Sequence, residues 1–183
     1  MSVISLIKSD LYRYTGGGKF LWSYLMIPGF KYTCFFRLIQ YFEKHWFLFP
    51  ITLLLKIKFI LMQRHYGIQI PSETRIGKGF YIGHYGTIVV NGAAVIGDNV
   101  NISHGVTIGQ ANRGRHKGVA IIGNGVYIGP GVKIVGKVII GNNVAIGANA
   151  VVTSDVPDNA CVAGVPAKII SMNGADGYVN RKV

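Results

Sequence analysis

Residues 121–152 read IIGNGVYIGPGVKIVGKVIIGNNVAIGANAVV. An aliphatic residue returns every six positions, at Ile122, Ile128, Ile134, Ile140, Ile146 and Val152, and glycine follows most of them. Upstream the same ladder runs through Ile70, Ile76, Ile82 and Ile88, then Ile96, Ile102 and Ile108. A second apolar residue sits four after most rungs, from Phe80 and Val100 to Val144 and Ala150. A period of six is neither the 3.6 of a helix nor the alternation of a half-buried strand. It predicts short strands that each point a branched side chain inward, joined by corners where Gly, Asn or Asp tolerates positive φ. One hexapeptide cannot bury its own apolar residue, so the repeats must coil and stack into a solenoid. The regularity of the rungs argues against a β-sandwich of short strands.

The ladder breaks phase twice. Eight residues separate Ile88 from Ile96 where six are expected, and fourteen separate Ile108 from Ile122 where twelve would keep phase. The second break holds QANRGRHKGVA, with Arg113, Arg115, His116 and Lys117 between glycines. It reads as an excursion from the coil, and excursions from repeat scaffolds usually build the binding face. Arg113, Arg115 and His116 are therefore candidate substrate contacts.

Three units follow: an α-helical N-terminal region over 1–66, a β-helical domain over 67–170, and a mobile polar tail over 171–183. In the first, residues 2–15 read as a helix opened by Ser2 and stopped by Gly16-Gly17-Gly18. A looser segment is expected through Pro28-Gly29, then a helix from Tyr32 to about Lys44. Another starts around Pro50, since proline suits a first turn. That last stretch, WFLFPITLLLKIKFILMQ, is the most apolar in the chain, but Lys56 and Lys58 leave too short a clean run to span a bilayer. It is either a helix buried on other copies of the chain or one lying on an anionic bilayer.

The chain of 183 residues carries a formal net charge of +12. Residues 1–66 hold nine Lys or Arg against Asp10 and Glu43. Such a balance points to an anionic partner, a phosphorylated cofactor or an acidic lipid among them. No nucleic-acid recognition motif accompanies it, so nucleic acid is not expected. Cys34 and Cys161 have no ligand spacing and read as buried thiols of a reducing compartment. No signal peptide is visible, which predicts a cytoplasmic protein.

Two of the five histidines stand out. His84 follows Ile82 by two residues and His104 follows Ile102 by two. Twenty residues apart, they should lie one above the other on successive coils, about 4.8 Å apart along the sheet spacing. Like-charge repulsion between them would keep at least one imidazole neutral and basic. Two histidines without a nearby carboxylate make a poor metal site, so no metal is expected.

At these residues the chain resembles the hexapeptide-repeat acyltransferases. The Ile/Val-Gly-x-x-x-x ladder is similar to their left-handed parallel β-helix, and Val162-Ala163-Gly164-Val165-Pro166-Ala167-Lys168 resembles the closing motif of their serine-acetyltransferase branch. The resemblance implies three hexapeptides per coil, a homotrimer and acetyl-CoA as donor. His84, within Gly83-His84-Tyr85-Gly86, matches the family's catalytic general base, and His104 would tune it or bind the acceptor. Gly129, Pro130 and Ala148 match positions lining the acetyl-CoA groove, and Lys168 matches one that meets a phosphate.

The match departs from the serine-specific pattern. The orienting carboxylate aligns with Gln69, the Asp before the histidine is Gly83, and the Asp-Arg-His-Pro segment has no counterpart in Gly114–Gly118. Ser103–Gly109 looks closer to enzymes that O-acetylate sugars of capsule or colanic-acid-type polysaccharides. The expectation is therefore an acetyl-CoA-dependent O-acetyltransferase acting on a saccharide, in the cytoplasm or at the inner face of the cell membrane. The alternatives are a serine O-acetyltransferase of cysteine biosynthesis and a non-catalytic trimeric scaffold at the membrane.

Overall fold

The computed structural model describes all 183 residues. From Ile68 to Ala163 the chain winds through five coils with three parallel sheets as faces. The first sheet stacks Ile68–Gln69, Ile88–Val90, Thr107–Gly109, Lys133–Val135 and Val151–Val152. The second stacks Arg75–Ile76, Val95–Ile96, Ile121–Ile122 and Ile139–Ile140. The third stacks Tyr81–Ile82, Asn101–Ile102, Tyr127–Ile128, Ala145–Ile146 and Cys161–Ala163, and is closed by an antiparallel strand, Lys168–Ser171.

The rungs and the residues four after them fill the interior. Ile102, Ile108, Ile128, Val100, Val106 and Val126 are all essentially inaccessible. Such a stack needs close contact between coils, which explains the glycine after most rungs. A Cβ at Gly97 would lie 2.5 Å from Asn124 Oδ1, and one at Gly123 would lie 2.7 Å from the Gly141 carbonyl. Those asparagines hold the corner between the second and third sheets. Asn124 Oδ1 accepts from the Asp98 amide at 2.8 Å, and Asn142 Oδ1 accepts from the Asn124 amide at 2.9 Å.

Strand pairing relocates the first phase break. Ile68 pairs with Ile88, and Val90 pairs with Ile108, so Val90 and not Ile88 is the rung of the second coil. The interval from Val90 to Ile96 is the regular six, and the two extra residues lie between Ile82 and Val90. The second break is also larger than its phase suggests. Ile134 to Ile140 takes six residues where Ile108 to Ile122 takes fourteen, so eight are extra. A shift by a whole number of rungs plus two is indistinguishable in the sequence from a shift of two.

Four helices precede the coil: α1 (Val3–Thr15), α2 (Phe20–Met26), α3 (Pro28–Phe42) and α4 (Phe49–Tyr66). The Ser2 hydroxyl caps α1 by accepting from the Ser5 amide, and Gly16 ends it at φ 74°. The stretch expected to be loose contains α2, and α3 begins at Pro28, four residues ahead of the expected start. Tertiary contact makes α2 where its seven residues would not hold a helix alone.

α1 and α3 close the open end of the coil. The backbone of the first coil has no coil beneath it, and an unpaired strand edge is a liability. Side chains take the place of the missing coil. Tyr32 Oη donates to the Ile70 carbonyl and accepts from its amide, and Tyr14 Oη accepts from the Ile82 amide at 2.9 Å. Gln40 donates to the Ser72 and Thr74 carbonyls, and Arg37 to those of Ile76 and Gly77. Arg13 donates to Gly79, and the Asp10 carboxylate accepts from the Phe80 amide.

The tail expected to be mobile is packed. Ala175 and Val179 are buried against the third sheet, and the Val183 amide donates to Asn99 Oδ1 at 2.8 Å. Its apolar residues are too few to read as a packing element without the sheet beneath them.

Candidate active site

One corner of the coil, between the third and first sheets, carries the two histidines. The pairs Ile82 with Ile102, Ile102 with Ile128, and Ile128 with Ile146 fix the stacking. Two residues beyond these rungs lie His84, His104, Pro130 and Ala148, so four of the expected site residues form one column. Backbone bonds join the column from coil to coil: the Gly105 amide to Gly86, the Gly131 amide to His104, and the Asn149 amide to Pro130.

The histidine rings are 5.9 Å apart between centroids and nearly perpendicular, at 80°. Both side chains are exposed. The separation exceeds the expected sheet spacing because the His84 corner is two residues longer than the His104 corner. Ile88 takes the buried place that Val106 holds one coil on, and the Gly86 carbonyl accepts from the Gly105 amide, so the two extra residues fall among Gly83, His84 and Tyr85, all exposed. Thr87 sits at φ 50°, and no other left-handed residue outside glycine is β-branched. The positions in register with it on later coils, Gly105, Gly131 and Asn149, hold that conformation with Gly or Asn. Strain of this kind costs on the order of 1–3 kcal/mol and gathers at functional sites.

Tyr85 packs against Tyr66 at the end of α4, with ring centroids 5.4 Å apart, which ties this corner to the helices. Lys133 was missed by sequence reasoning. It points outward from the first sheet, and its Nζ donates to the Gly105 carbonyl, next to His104. This sets a fixed cation beside the histidines. It was illegible because Lys133 occupies an ordinary outward strand position and its partner is 28 residues away.

No carboxylate lies on this column. Glu73 and Asp155 sit on the corner between the first and second sheets, Asp98 and Asp158 on that between the second and third. Gln69 is exposed on the first sheet. No cluster of three or more His, Cys, Asp or Glu is arranged to hold a metal.

Beyond the histidines the column borders a groove of about 430 Å³, lined by Tyr127, Pro130, Ala148, Cys161, Ile170 and Tyr178 among others. Its size and mostly apolar walls suit a small extended ligand. The tail roofs it, with Tyr178 stacked on Tyr127 at 4.6 Å. Gly129 is buried behind it, where a Cβ would lie 2.7 Å from the Ile146 carbonyl. Lys168 is exposed on the closing strand, paired with Ala163.

The excursion is not at this corner. Ala111 and Gly118 bridge its base, and the His116 carbonyl accepts from the Lys137 amide at 2.8 Å. Arg113, Arg115 and His116 therefore leave from the opposite edge of the first sheet. Within one chain they do not meet His84 and His104.

The profile of the bacterial transferase hexapeptide family (six repeats) matches residues 120–154. A serine acetyltransferase of Helicobacter pylori strain J99 is 36% identical over 152 residues, 82% of this chain and 86% of that one. The crystal structure of a serine acetyltransferase from Vibrio cholerae is similar over 92% of this chain and 66% of its own, with TM-score 0.77 and 26% identity. A serine acetyltransferase solved in complex with CoA is 32% identical, with TM-score 0.74, over 92% of this chain and 70% of its own. This chain thus spans most of the Helicobacter relative and about two thirds of the Vibrio one.

These likenesses overturn the expectation of a saccharide acceptor in polysaccharide biosynthesis, since the relatives are serine acetyltransferases. That expectation rested on a few corner residues. Coil corners tolerate exchange as long as the rungs stack, so they discriminate branches poorly. From the repeat, the helical cap and these relatives together, the chain belongs to the serine acetyltransferase family of hexapeptide-repeat transferases.

Proposed function

We propose that this chain is a serine O-acetyltransferase: it moves the acetyl group of acetyl-CoA to the hydroxyl of serine, as a cytoplasmic homotrimer of left-handed coils. The observation that carries the reading is the histidine pair at the head of a column leading to the groove past Pro130 and Ala148. Transfer is direct. His84 takes the serine hydroxyl proton as the oxygen attacks the thioester carbonyl. The tetrahedral adduct then collapses, its carbon–sulfur bond breaks, and the imidazolium returns a proton to the departing CoA thiolate. His104 faces His84 and holds its ring or meets the acceptor. The Lys133 ammonium favours negative charge developing beside it.

The pantetheine arm would lie along Gly129, Pro130 and Ala148, with Lys168 toward a CoA phosphate. Arg113, Arg115 and His116 reach a histidine corner only if a neighbouring copy brings its excursion there, which is the use proposed for the trimer. Nothing acidic on the column orients His84, so that duty falls to Gln69 or to a neighbouring copy.

The test is thiol release from acetyl-CoA with serine as acceptor. His84→Ala should lower turnover by roughly 10²–10⁴ with CoA binding retained, and His104→Ala should cost less. Near wild-type turnover in the His84 variant refutes the role of that residue, and no serine-dependent release by the wild type refutes the acceptor.

A further inference from the structure

We propose that the outer faces of α2 and α4 form a docking surface for an anionic lipid bilayer. α4 is anchored to the protein along one stripe only, by Thr52, Phe59 and Met62. At 100° per residue, Leu53, Leu54, Ile57, Ile60 and Leu61 fall on the opposite side. Each is 46–69% exposed. Lys56 and Lys58 lie on the two borders of that apolar arc, the arrangement of a helix lying in a membrane interface with its lysines reaching toward headgroups.

α2 extends the surface. Leu21, Leu25 and Met26 are 61–68% exposed. Lys31 stands over the Tyr24 ring at 5.6 Å and Lys58 over Phe35 at 5.0 Å, while those two rings stack at 6.4 Å. Both lysines thus sit above one aromatic seam where Tyr24 of α2 stacks on Phe35 of α3, with α4 alongside. The chain's two tryptophans, Trp22 and Trp46, are exposed by 54% and 87% on this same helical region. Indole rings favour the level of the headgroups.

Charge decides which occupant the surface fits. In residues 19–66 the only acid is Glu43, and it is bonded to Lys56 at 2.8 Å. Lys19, Lys31, Lys44, Lys58 and Arg64 have no acidic partner. Two copies meeting through this face would bring these cations together around apolar contacts, an unfavourable juxtaposition. A layer of anionic headgroups neutralises them while taking up the aliphatic arc. Contrary to the expectation drawn from Lys56 and Lys58, the segment Trp46–Tyr66 is by length and composition apolar enough to cross a bilayer, with mean hydropathy 1.6 over its most apolar 18 residues. Its anchored stripe and its direct entry into the first coil at Gly67 leave it lying on the surface.

The experiment is cosedimentation of the full chain with vesicles of equal parts phosphatidylglycerol and phosphatidylcholine, and with phosphatidylcholine alone. Binding to the first should exceed binding to the second, with a blue shift of tryptophan emission. It should fall away at about 1 M salt, where screening shortens to ~3 Å. The double variant Lys31→Gln, Lys58→Gln should bind roughly 30-fold more weakly, at about 1 kcal/mol per charge. Leu54→Gln with Leu61→Gln should weaken binding and leave the sedimentation coefficient and thiol release unchanged. Equal binding to both vesicles at low salt overturns the proposal. So does an oligomer that shrinks in the leucine variant, which would assign the face to a second copy. Neither outcome depends on the acetyl acceptor.

Discussion

Asp10→Ala should dismantle the joint between the helices and the coil. The Asp10 and Arg37 side chains are each 1% exposed. Asp10 Oδ2 accepts from Arg37 Nε at 2.9 Å, and Oδ1 accepts from Arg37 Nη2 at 3.2 Å and from the Phe80 amide at 2.9 Å. Removing the carboxylate leaves a buried guanidinium without its counter-charge, which costs about 3–5 kcal/mol. It also strips the Phe80 amide of its acceptor, worth about 1–3 kcal/mol alone. The two losses overlap, and Arg37 keeps the carbonyls of Ile76 and Gly77, so the expected sum is about 4 kcal/mol.

That is a large part of the roughly 5–15 kcal/mol that holds a typical domain folded. At about 3 °C per kcal/mol for a chain of this length, the melting temperature should fall by roughly 12 °C. Urea unfolding at fixed protein concentration measures it, since assembly makes stability concentration-dependent. A double-mutant cycle with Arg37→Met isolates the pair and should return a coupling of about 2 kcal/mol or more. A cost for Asp10→Ala below about 1 kcal/mol, the level of an exposed pair, would refute the argument that this contact closes the coil.

Two further outcomes concern the corner and the core. Thr87→Asn puts a residue type that other left-handed corners use, as at Asn149, in place of a strained β-branched one, and should raise stability by about 1 kcal/mol in urea. An unchanged midpoint would show that Thr87 is not strained. Burial pushes the Cys34 thiol up to about 12, so iodoacetamide at mildly alkaline pH should label half-buried Cys161 first and Cys34 only on unfolding. Because the folded value is raised, the stability linked to this thiol is intact below its ordinary value of 9.0 and is lost as pH rises toward 12. Equal labelling of both thiols in the folded protein would contradict the burial.

By itself the sequence determined the solenoid, because the six-residue period repeats one local rule thirteen times and each rung needs only its own strand and corner. It also determined the alignment of His84 and His104, since a fixed distance past paired rungs becomes a fixed corner in space. It did not determine where the coil lengthens. A two-residue slip and a slip of two plus whole rungs leave the same phase, and only the pairing of Ile68 with Ile88 put the extra residues at His84. Nor did it show that Asp10, Arg13, Tyr14, Tyr32 and Arg37 replace a missing coil. Their bonds span 27 to 167 positions, and nothing local in a helix marks which polar residue meets a distant carbonyl. The tertiary structure decided those contacts, because the end of a parallel stack leaves backbone groups that some other part of the chain must satisfy.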